Sequence, residues 1–114
     1  MSDCIFCKII KGDVTAKLVH SDERLVAFED INPQAPVHVL IVPTEHLNNN
    51  LALTAAHAPL MGEVFLLANT IARSYGIDAT GFRVVTNCGS HGGQTVGHIH
   101  FHLLGGRPMT WPPG

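Results

Sequence analysis

Three histidines alternate with apolar residues near the end of the chain, in the stretch His98-Ile99-His100-Phe101-His102-Leu103-Leu104. A period of two residues is typical of a half-buried β-strand, whose successive side chains point to opposite faces of the sheet. The apolar residues are therefore expected to face a core, while the three histidines share the other face. Because histidine titrates close to neutral pH, three of them on one face favour a functional role over a solvated surface.

The spacing of these histidines limits what they can do together. Residues two apart on a strand lie about 6.6 Å from each other, so His98 and His102 are expected to be about 13 Å apart. Ligands of one zinc ion must each lie within about 2.1 Å of it. The pattern therefore argues against one metal shared by all three rings, and it predicts separate roles for them.

Length and composition restrict the class of protein. With 114 residues, of which 46% are hydrophobic, the chain predicts a single domain over residues 1–114 with a substantial core. A net charge of -2 and only seven Lys and Arg residues argue against a nucleic-acid partner. No apolar run is long enough for a membrane span, and no signal peptide is evident, which predicts a cytoplasmic protein.

The order of helical and strand patterns predicts an α+β fold. A short apolar helix is expected around 5–10 with Asp3 as its N-cap, and a long amphipathic helix over 60–75. Five short, mostly antiparallel strands are expected at Lys17–His20, Leu25–Asp30, Val37–Val42, Gly81–Thr86 and Val96–Leu104.

A glycine-rich loop, Asn87–Thr95, directly precedes the histidine strand. Glycines allow backbone N–H groups to approach an anion closely, although such a loop alone is also typical of a plain hairpin connection. The combination with three in-line histidines is more specific. It predicts a phosphate pocket with a nucleophile or an acid–base group beside it.

At this point the chain resembles a known family. Gly92–Gly106 resembles the histidine triad motif, and the similarity extends to Ala27–His38 and to the ending Gly105–Gly114. The resemblance is to the histidine triad (HIT) family, and within it to the Hint branch of nucleoside phosphoramidate hydrolases. It implies a HIT-like fold in which two copies join their sheets into one ten-stranded homodimer.

The resemblance also implies catalytic roles. His100 would attack the α-phosphorus of a purine nucleoside 5′-phosphoramidate, forming a nucleotidyl-histidine that water then hydrolyses to the monophosphate. His102 would donate to a phosphate oxygen, and Thr95, where this branch commonly has serine, would help relay a proton to the leaving amine. His38 would support His100 from the neighbouring strand. The second ring nitrogen of His100 is expected to donate to an acceptor, such as a main-chain carbonyl, that fixes its tautomer.

The remaining contacts to an AMP- or GMP-type nucleotide follow from the same resemblance. Asp30 would hold the ribose hydroxyls, and Trp111 lies in the tail that approaches the partner's site in this branch. The other implied substrate-binding residues form an apolar slot for the base (Phe6, Ile9, Phe28, Ile31 and Leu40) and a phosphate lining (Asn87, Gly93, Gln94 and Thr95, with His100 and His102). Arg107 has no evident role and is interpreted as a surface charge.

Some members of the family bind structural zinc through two cysteines and two histidines. The corresponding residues here are Cys4, Cys7, His46 and His98, a closed tetrahedral donor set. Zn²⁺ would clip the N-terminal helix to the histidine strand without taking part in the reaction.

Two alternatives remain open from the residues alone. One is a dinucleoside polyphosphate hydrolase of the same family, which shares the Gly-Gln-Thr-Val approach to the histidines. The ending Gly105–Gly114 speaks against it. The other is a nucleotide-binding regulatory protein with a vestigial site, against which the retained histidines and Thr95 speak.

Overall fold

The computed structural model describes residues 3–114 and contains one antiparallel sheet of five strands with the order β1-β2-β3-β5-β4. This confirms the predicted α+β fold with one long and one short helix. The strands are β1 (Leu18–Ser21), β2 (Leu25–Glu29), β3 (Val37–Pro43), β4 (Phe82–Thr86) and β5 (Phe101–Gly105). The helices are α1 (Ile5–Lys11), α2 (Ala58–Ser74) and α3 (Gly89–Gly92), and 3₁₀ turns occupy Asn50–Ala52 and Ala55–His57.

The sheet is covered on both faces. Alternate residues of β3 point in opposite directions, so Val39 and Ile41 pack under α2 while Leu40 and Val42 pack with Phe6 of α1. Strand β3 is therefore apolar almost without interruption, as expected of a central strand buried on both sides. The two faces carry separate apolar clusters, and the candidate site lies on the α1 face.

The histidine strand is shorter than predicted. Only Phe101–Gly105 pairs in the sheet, whereas the segment 96–100 lies outside it. The last pair of the β3–β5 ladder is Ile41 with Phe101, and the buried Pro43 that follows has no N–H group to extend it. The Ile99 N–H donates instead to the Leu47 carbonyl at 2.7 Å.

The predicted alternation nevertheless holds through this unpaired segment. Ile99, Phe101 and Leu103 are buried in the cluster beneath α2. His98 and His100 point to the other face and are themselves buried. The period-two pattern thus reported the direction of the side chains correctly, although it overestimated the length of the strand.

Two local details differ from the sequence interpretation. Cys4, and not Asp3, is the N-cap of α1, because its sulfur accepts the Cys7 N–H at 3.4 Å. The glycine-rich loop contains a single helical turn, α3, which ends at Gly93 in the left-handed conformation with φ 82°.

Within residues 3–114, every helix is too short or too polar to cross a bilayer.

Candidate functional site

A cleft of about 310 Å³ opens on the α1 face of the sheet. It brings together nine of the residues predicted to contact substrate, namely Phe6, Ile9, Phe28, Asp30, Ile31, Leu40, Thr95, His100 and His102. Six further residues that sequence reasoning missed also line it: Ile5, Val14, Thr15, Ala16, Glu29 and Val96. Three of these residues lie in the connection between α1 and β1, and the other three are sequence neighbours of predicted residues. The position of that connection next to the predicted apolar helix was the available signal for the first three.

One wall of the cleft is apolar and well packed. The Phe6 ring meets Phe28 edge-on at 5.5 Å between centroids and His100 at 5.0 Å. Phe28 and Leu40 are buried beneath it, whereas Ile31 at the rim is 96% exposed. A rigid aromatic wall with an uncovered apolar residue at its edge can hold a flat, partly apolar ligand.

The tautomer of His100 is fixed by the main chain. Its Nδ1 lies 2.7 Å from the His98 carbonyl oxygen, and the side chain is buried. A carbonyl oxygen can only accept, so Nδ1 carries the proton and donates. The lone pair of the neutral ring is therefore on Nε2. This is the arrangement that the sequence analysis required of a nucleophilic histidine.

A second chain of hydrogen bonds fixes His38 and His102. The Gln34 N–H donates to His38 Nδ1 at 3.0 Å, which places the single proton of the neutral His38 ring on Nε2. His38 Nε2 lies 2.9 Å from His102 Nδ1 and donates to it. The proton of His102 is consequently on its Nε2, so this ring is a donor at the far end of the chain.

Burial keeps these two rings neutral near pH 7. Desolvation lowers the pKa of His38, with the Asp30 carboxylate acting in the opposite direction. Desolvation, together with the charges of His100 and His38, lowers the pKa of His102 to about 4. Both rings therefore have one N–H and one lone pair under physiological conditions, as the hydrogen-bond directions require.

His38, which was expected to support His100 from the neighbouring strand, contacts His102 in the structure. The ring of His38 meets His102, with centroids 5.1 Å apart. The strand register explains this, since His38 is paired with Leu104 and Leu40 with His102. His102 is thus the diagonal neighbour of His38 on the same face, and His100 lies one step further along.

The glycine loop is organised by its own contacts. Gly93 N–H and Gln94 N–H donate to carbonyls within α3, at 3.1 Å in both cases. The Gln94 side-chain amide accepts from Gly89 N–H and donates to the carbonyls of Asn48 and Val96. Of the predicted phosphate lining in this loop, Thr95 borders the cleft, whereas Asn87, Gly93 and Gln94 are not part of its wall.

Trp111 does not reach the cleft within this chain. It is 81% exposed in the C-terminal tail, where Arg83 donates to the carbonyl of the neighbouring Thr110 at 2.9 Å. Its predicted role in substrate binding therefore needs a second copy of the chain.

A cluster of two cysteines and two histidines lies at the N-terminal end of α1. Cys4, Cys7, His46 and His98 bring one ligand atom each to within 4.8 Å of one another. The separations given by the hydrogen-bond geometry run from 3.1 Å, between the two Nδ1 atoms, to 3.6 Å, between Cys7 Sγ and His98 Nδ1. Ligands of a tetrahedral Zn²⁺ lie about 3.3–3.8 Å apart, so the donor set matches this ion to within about 0.2 Å.

The orientation of the two rings supports a metal at this cluster. His98 Nε2 donates to the Pro43 carbonyl and His46 Nε2 donates to Asn48 Oδ1, both at 2.9 Å. In neutral rings both Nδ1 atoms then carry lone pairs, and two lone pairs 3.1 Å apart cannot hydrogen-bond to each other. A shared cation satisfies them. The four residues can therefore hold a metal ion, as predicted.

Asp30, His38 and His102 form a second group whose ligand atoms converge within 4.8 Å. The hydrogen bonds of these histidines run in different directions from those of the first group. His38 Nδ1 already accepts a backbone N–H, so its Nε2 bears a proton and offers no lone pair to a metal. His38 and His102 form a hydrogen-bond chain, and the Asp30 carboxylate lies beside it with Oδ2 3.5 Å from His38 Nε2.

The model of the HIT domain family matches residues 11–109 of the chain. A HIT-like protein of Synechococcus elongatus is 47% identical over 112 residues, covering 98% of this chain and 97% of that protein. A 14 kDa zinc-binding protein of Zea mays is 45% identical over 115 aligned residues, covering 99% of this chain and 89% of the maize protein. The crystal structure of a HIT family hydrolase from Legionella pneumophila Philadelphia 1 superposes with a TM-score of 0.96 at 45% identity, covering 98% of this chain and all of that one. The chain belongs to the HIT domain family.

Proposed function

We propose that this protein hydrolyses purine nucleoside 5′-phosphoramidates to nucleoside monophosphates through a nucleotidyl-histidine intermediate on His100. The observation that carries the proposal is the hydrogen bond from His100 Nδ1 to the His98 carbonyl, which leaves a lone pair on Nε2 of a ring that borders the cleft. The solved neighbours named HIT family hydrolases support a hydrolytic role.

The reaction has two balanced steps. His100 Nε2 attacks the α-phosphorus, a P–N bond to the ring forms, and the P–N bond to the amine breaks. The amine leaves with a proton that the Thr95 hydroxyl relays from solvent. Water then attacks the same phosphorus and gives one proton back to solvent, the bond to Nε2 breaks, and the monophosphate is released with His100 neutral again.

The residues around His100 have distinct assignments in this proposal. His102, whose proton is on Nε2, donates to a phosphate oxygen, and Asp30 accepts from the ribose hydroxyls. The apolar slot holds the base through Phe6, Ile9, Phe28, Ile31 and Leu40. We assign Gly93 and Gln94 to shaping the loop, since their N–H groups donate within it, and Asn87 to the phosphate end of the site.

Zn²⁺ at Cys4, Cys7, His46 and His98 has a structural role in this proposal. A helix of seven residues such as α1 is too short to be stable alone. Bound zinc supplies a clip between α1 and the segment that carries His98. Burial raises the pKa of the Cys4 thiol, and the charge of a bound cation would favour its thiolate. The names of the maize and Brassica juncea zinc-binding proteins support this assignment.

We also propose that two copies join through β4. Within residues 3–114 this strand is at the edge of the sheet, where its one partner is β5, and α2 exposes Phe65 (53%) and Leu66 (67%). Pairing of two β4 edges would form a ten-stranded sheet and cover apolar surface on α2. The exposed Trp111 would then reach the partner's cleft and influence the leaving group.

The test compares two substrates. The purified chain is mixed with an adenosine 5′-phosphoramidate or with a diadenosine polyphosphate, and release of AMP is followed. The proposal expects faster turnover of the phosphoramidate, loss of turnover in His100→Ala, and retained binding of AMP by that variant. His20→Ala is the matched control, because His20 pairs with Asp22 beside β1 and does not border the cleft.

Three results would contradict the proposal. Faster turnover of the polyphosphate would favour the dinucleoside polyphosphate hydrolase. AMP binding without turnover of either substrate would favour a regulatory nucleotide-binding protein. Full activity in His100→Ala would remove His100 from the mechanism.

A further inference from the structure

We infer that Arg107 is a positioning residue that fixes the proton arrangement of His38 and His102. This inference rests on the proposed function for its kinetic consequence, but its structural part stands on the hydrogen bonds alone. Arg107 is exposed, and within residues 3–114 no carboxylate forms an ion pair with it. Its guanidinium instead binds main-chain carbonyls.

The guanidinium of Arg107 holds the loop between β2 and β3 at one point. Nε and Nη2 both donate to the Gln34 carbonyl, at 3.2 and 2.9 Å, while Nη1 donates to the Pro108 carbonyl at 3.0 Å. Two donors on one oxygen from a planar fork restrain both the position and the orientation of that carbonyl. Lysine has a single rotatable ammonium group and cannot reproduce this contact.

The neighbouring glycine brings the same loop close. A Cβ added to Gly106 would lie 2.9 Å from Cβ of Pro36, and its φ of 89° is in the left-handed region. The chain after β5 therefore passes directly against the β2–β3 loop. Gly106 permits the approach, and Arg107 makes the hydrogen bonds.

Gln34 transmits this restraint to the histidines. Its N–H donates to His38 Nδ1 and thereby places the His38 proton on Nε2. That proton is donated to His102 Nδ1, which leaves His102 with its own proton on Nε2. Arg107 holds the carbonyl of Gln34 and His38 accepts the N–H of the same residue, so the restraint passes through the Gln34 backbone from one peptide unit to the next. If the Gln34 backbone moves away, both tautomers of His38 become accessible. His102 can then lose the N–H that the proposed mechanism directs at a phosphate oxygen.

The loop also orients Asp30. The Asn32 N–H donates to Asp30 Oδ1 at 2.8 Å, and the Gln34 side chain donates to the Asn32 carbonyl at 3.0 Å. One restrained residue, Gln34, thus lies between the guanidinium and two groups of the site. We therefore expect loss of the guanidinium to affect the ribose contact as well as the histidine pair.

The experiment measures the tautomers directly, in the full-length, metal-loaded chain. Ring-nitrogen NMR shifts of His38 and His102 are recorded for the wild type, Arg107→Ala and Arg107→Lys, together with AMP affinity and turnover of adenosine 5′-phosphoramidate. Arg107→Ala is expected to show averaged or exchanged tautomer signals and a kcat lowered by about 10- to 100-fold. Arg107→Lys should recover only part of the loss. Arg73→Ala, which removes an exposed arginine from α2 on the opposite face, should resemble the wild type.

Unchanged ring-nitrogen shifts in Arg107→Ala would overturn the inference, whether or not its activity falls. A circular dichroism spectrum and a thermal midpoint equal to those of the wild type establish that the variant is folded. If the wild-type chain does not hydrolyse the phosphoramidate, the proposed function fails, while the NMR comparison still decides the role of Arg107.

Discussion

Two clusters on the same face of the sheet bring histidines together with acidic ligands, and they differ in where their protons lie. At Cys4, Cys7, His46 and His98, both imidazoles direct their N–H outward, to Pro43 and Asn48, so that the lone pairs converge. At His38 and His102, beside Asp30, donors and acceptors alternate along a chain that begins at the Gln34 N–H.

The comparison teaches that closeness of ligand atoms does not by itself indicate a metal site. Both groups have ligand atoms within 4.8 Å of one another. What separates them is the hydrogen bond on the remote nitrogen of His46, His98 and His38, which decides whether the near nitrogen offers a lone pair or a proton. A metal fits the first cluster, whereas the second already holds its own protons.

The largest expected effect is loss of metal from the first cluster. In the double variant Cys4→Ser and Cys7→Ser, we expect the zinc content to fall from about one ion per chain to less than about 0.2. Loss of a residue that only orients a ligand lowers metal affinity roughly 10- to 100-fold, and loss of two thiolate ligands should lower it further. Elemental analysis of protein purified without chelator measures this. Cys88→Ser is the matched control and should retain its zinc; zinc retained by the double variant would rule out the assigned ligands.

The second effect is a pH dependence of stability that arises from the buried histidines. In the folded chain the pKa of His102 is about 4, whereas an unfolded histidine titrates near 6.5. Between these values the unfolded state binds more protons, so the free energy of unfolding should decrease as the pH falls from 6.5 to 4. His102 contributes at most about 1.4 kcal/mol per pH unit in this window.

Denaturant titrations at several pH values measure this slope. The zinc-free double variant is used so that release of metal does not contribute, and the lowered pKa values of His38 and His98 add in the same direction. His102→Asn should flatten the curve. A slope of the opposite sign would mean that the second cluster gains protons on folding, as a charged pair with Asp30 would.

The smallest expected effect tests whether the second cluster takes a metal. Asp30→Asn should leave the zinc content unchanged, while it weakens AMP binding by about tenfold through loss of a charged acceptor for the ribose. Calorimetric titration with AMP and elemental analysis of the same sample provide both numbers. Asp78→Asn is an exposed control. A fall in zinc content in Asp30→Asn would contradict the distinction between the two clusters.

Much of the fold and of the site could be predicted from local patterns. Alternation placed the histidines on one face, and the apolar run of β3 identified the central strand. What failed depended on non-local partners. The β5 strand begins late because Pro43 ends its neighbour, and His38 meets His102 because of the strand register. Neither is visible in the spacing of residues within one segment.

Backbone contributions were the least predictable part. Gln34 acts on His38 through its N–H, and Arg107 acts on Gln34 through a carbonyl, so no residue-type pattern marks the connection. Gln94 was expected to face phosphate, but its amide ties the loop to the Asn48 carbonyl. Side-chain chemistry identified the participants, whereas main-chain geometry decided their contacts.

His98 contributes to the metal cluster and to the orientation of His100 through different parts of the same residue. Its ring can be a metal ligand, while its carbonyl accepts the hydrogen bond from His100 Nδ1–H. Every amino acid has that carbonyl, so the residue at this position can change without removing the acceptor of the His100 hydrogen bond. In the proposed mechanism, the metal ligands can therefore be replaced while the tautomer of His100 is retained.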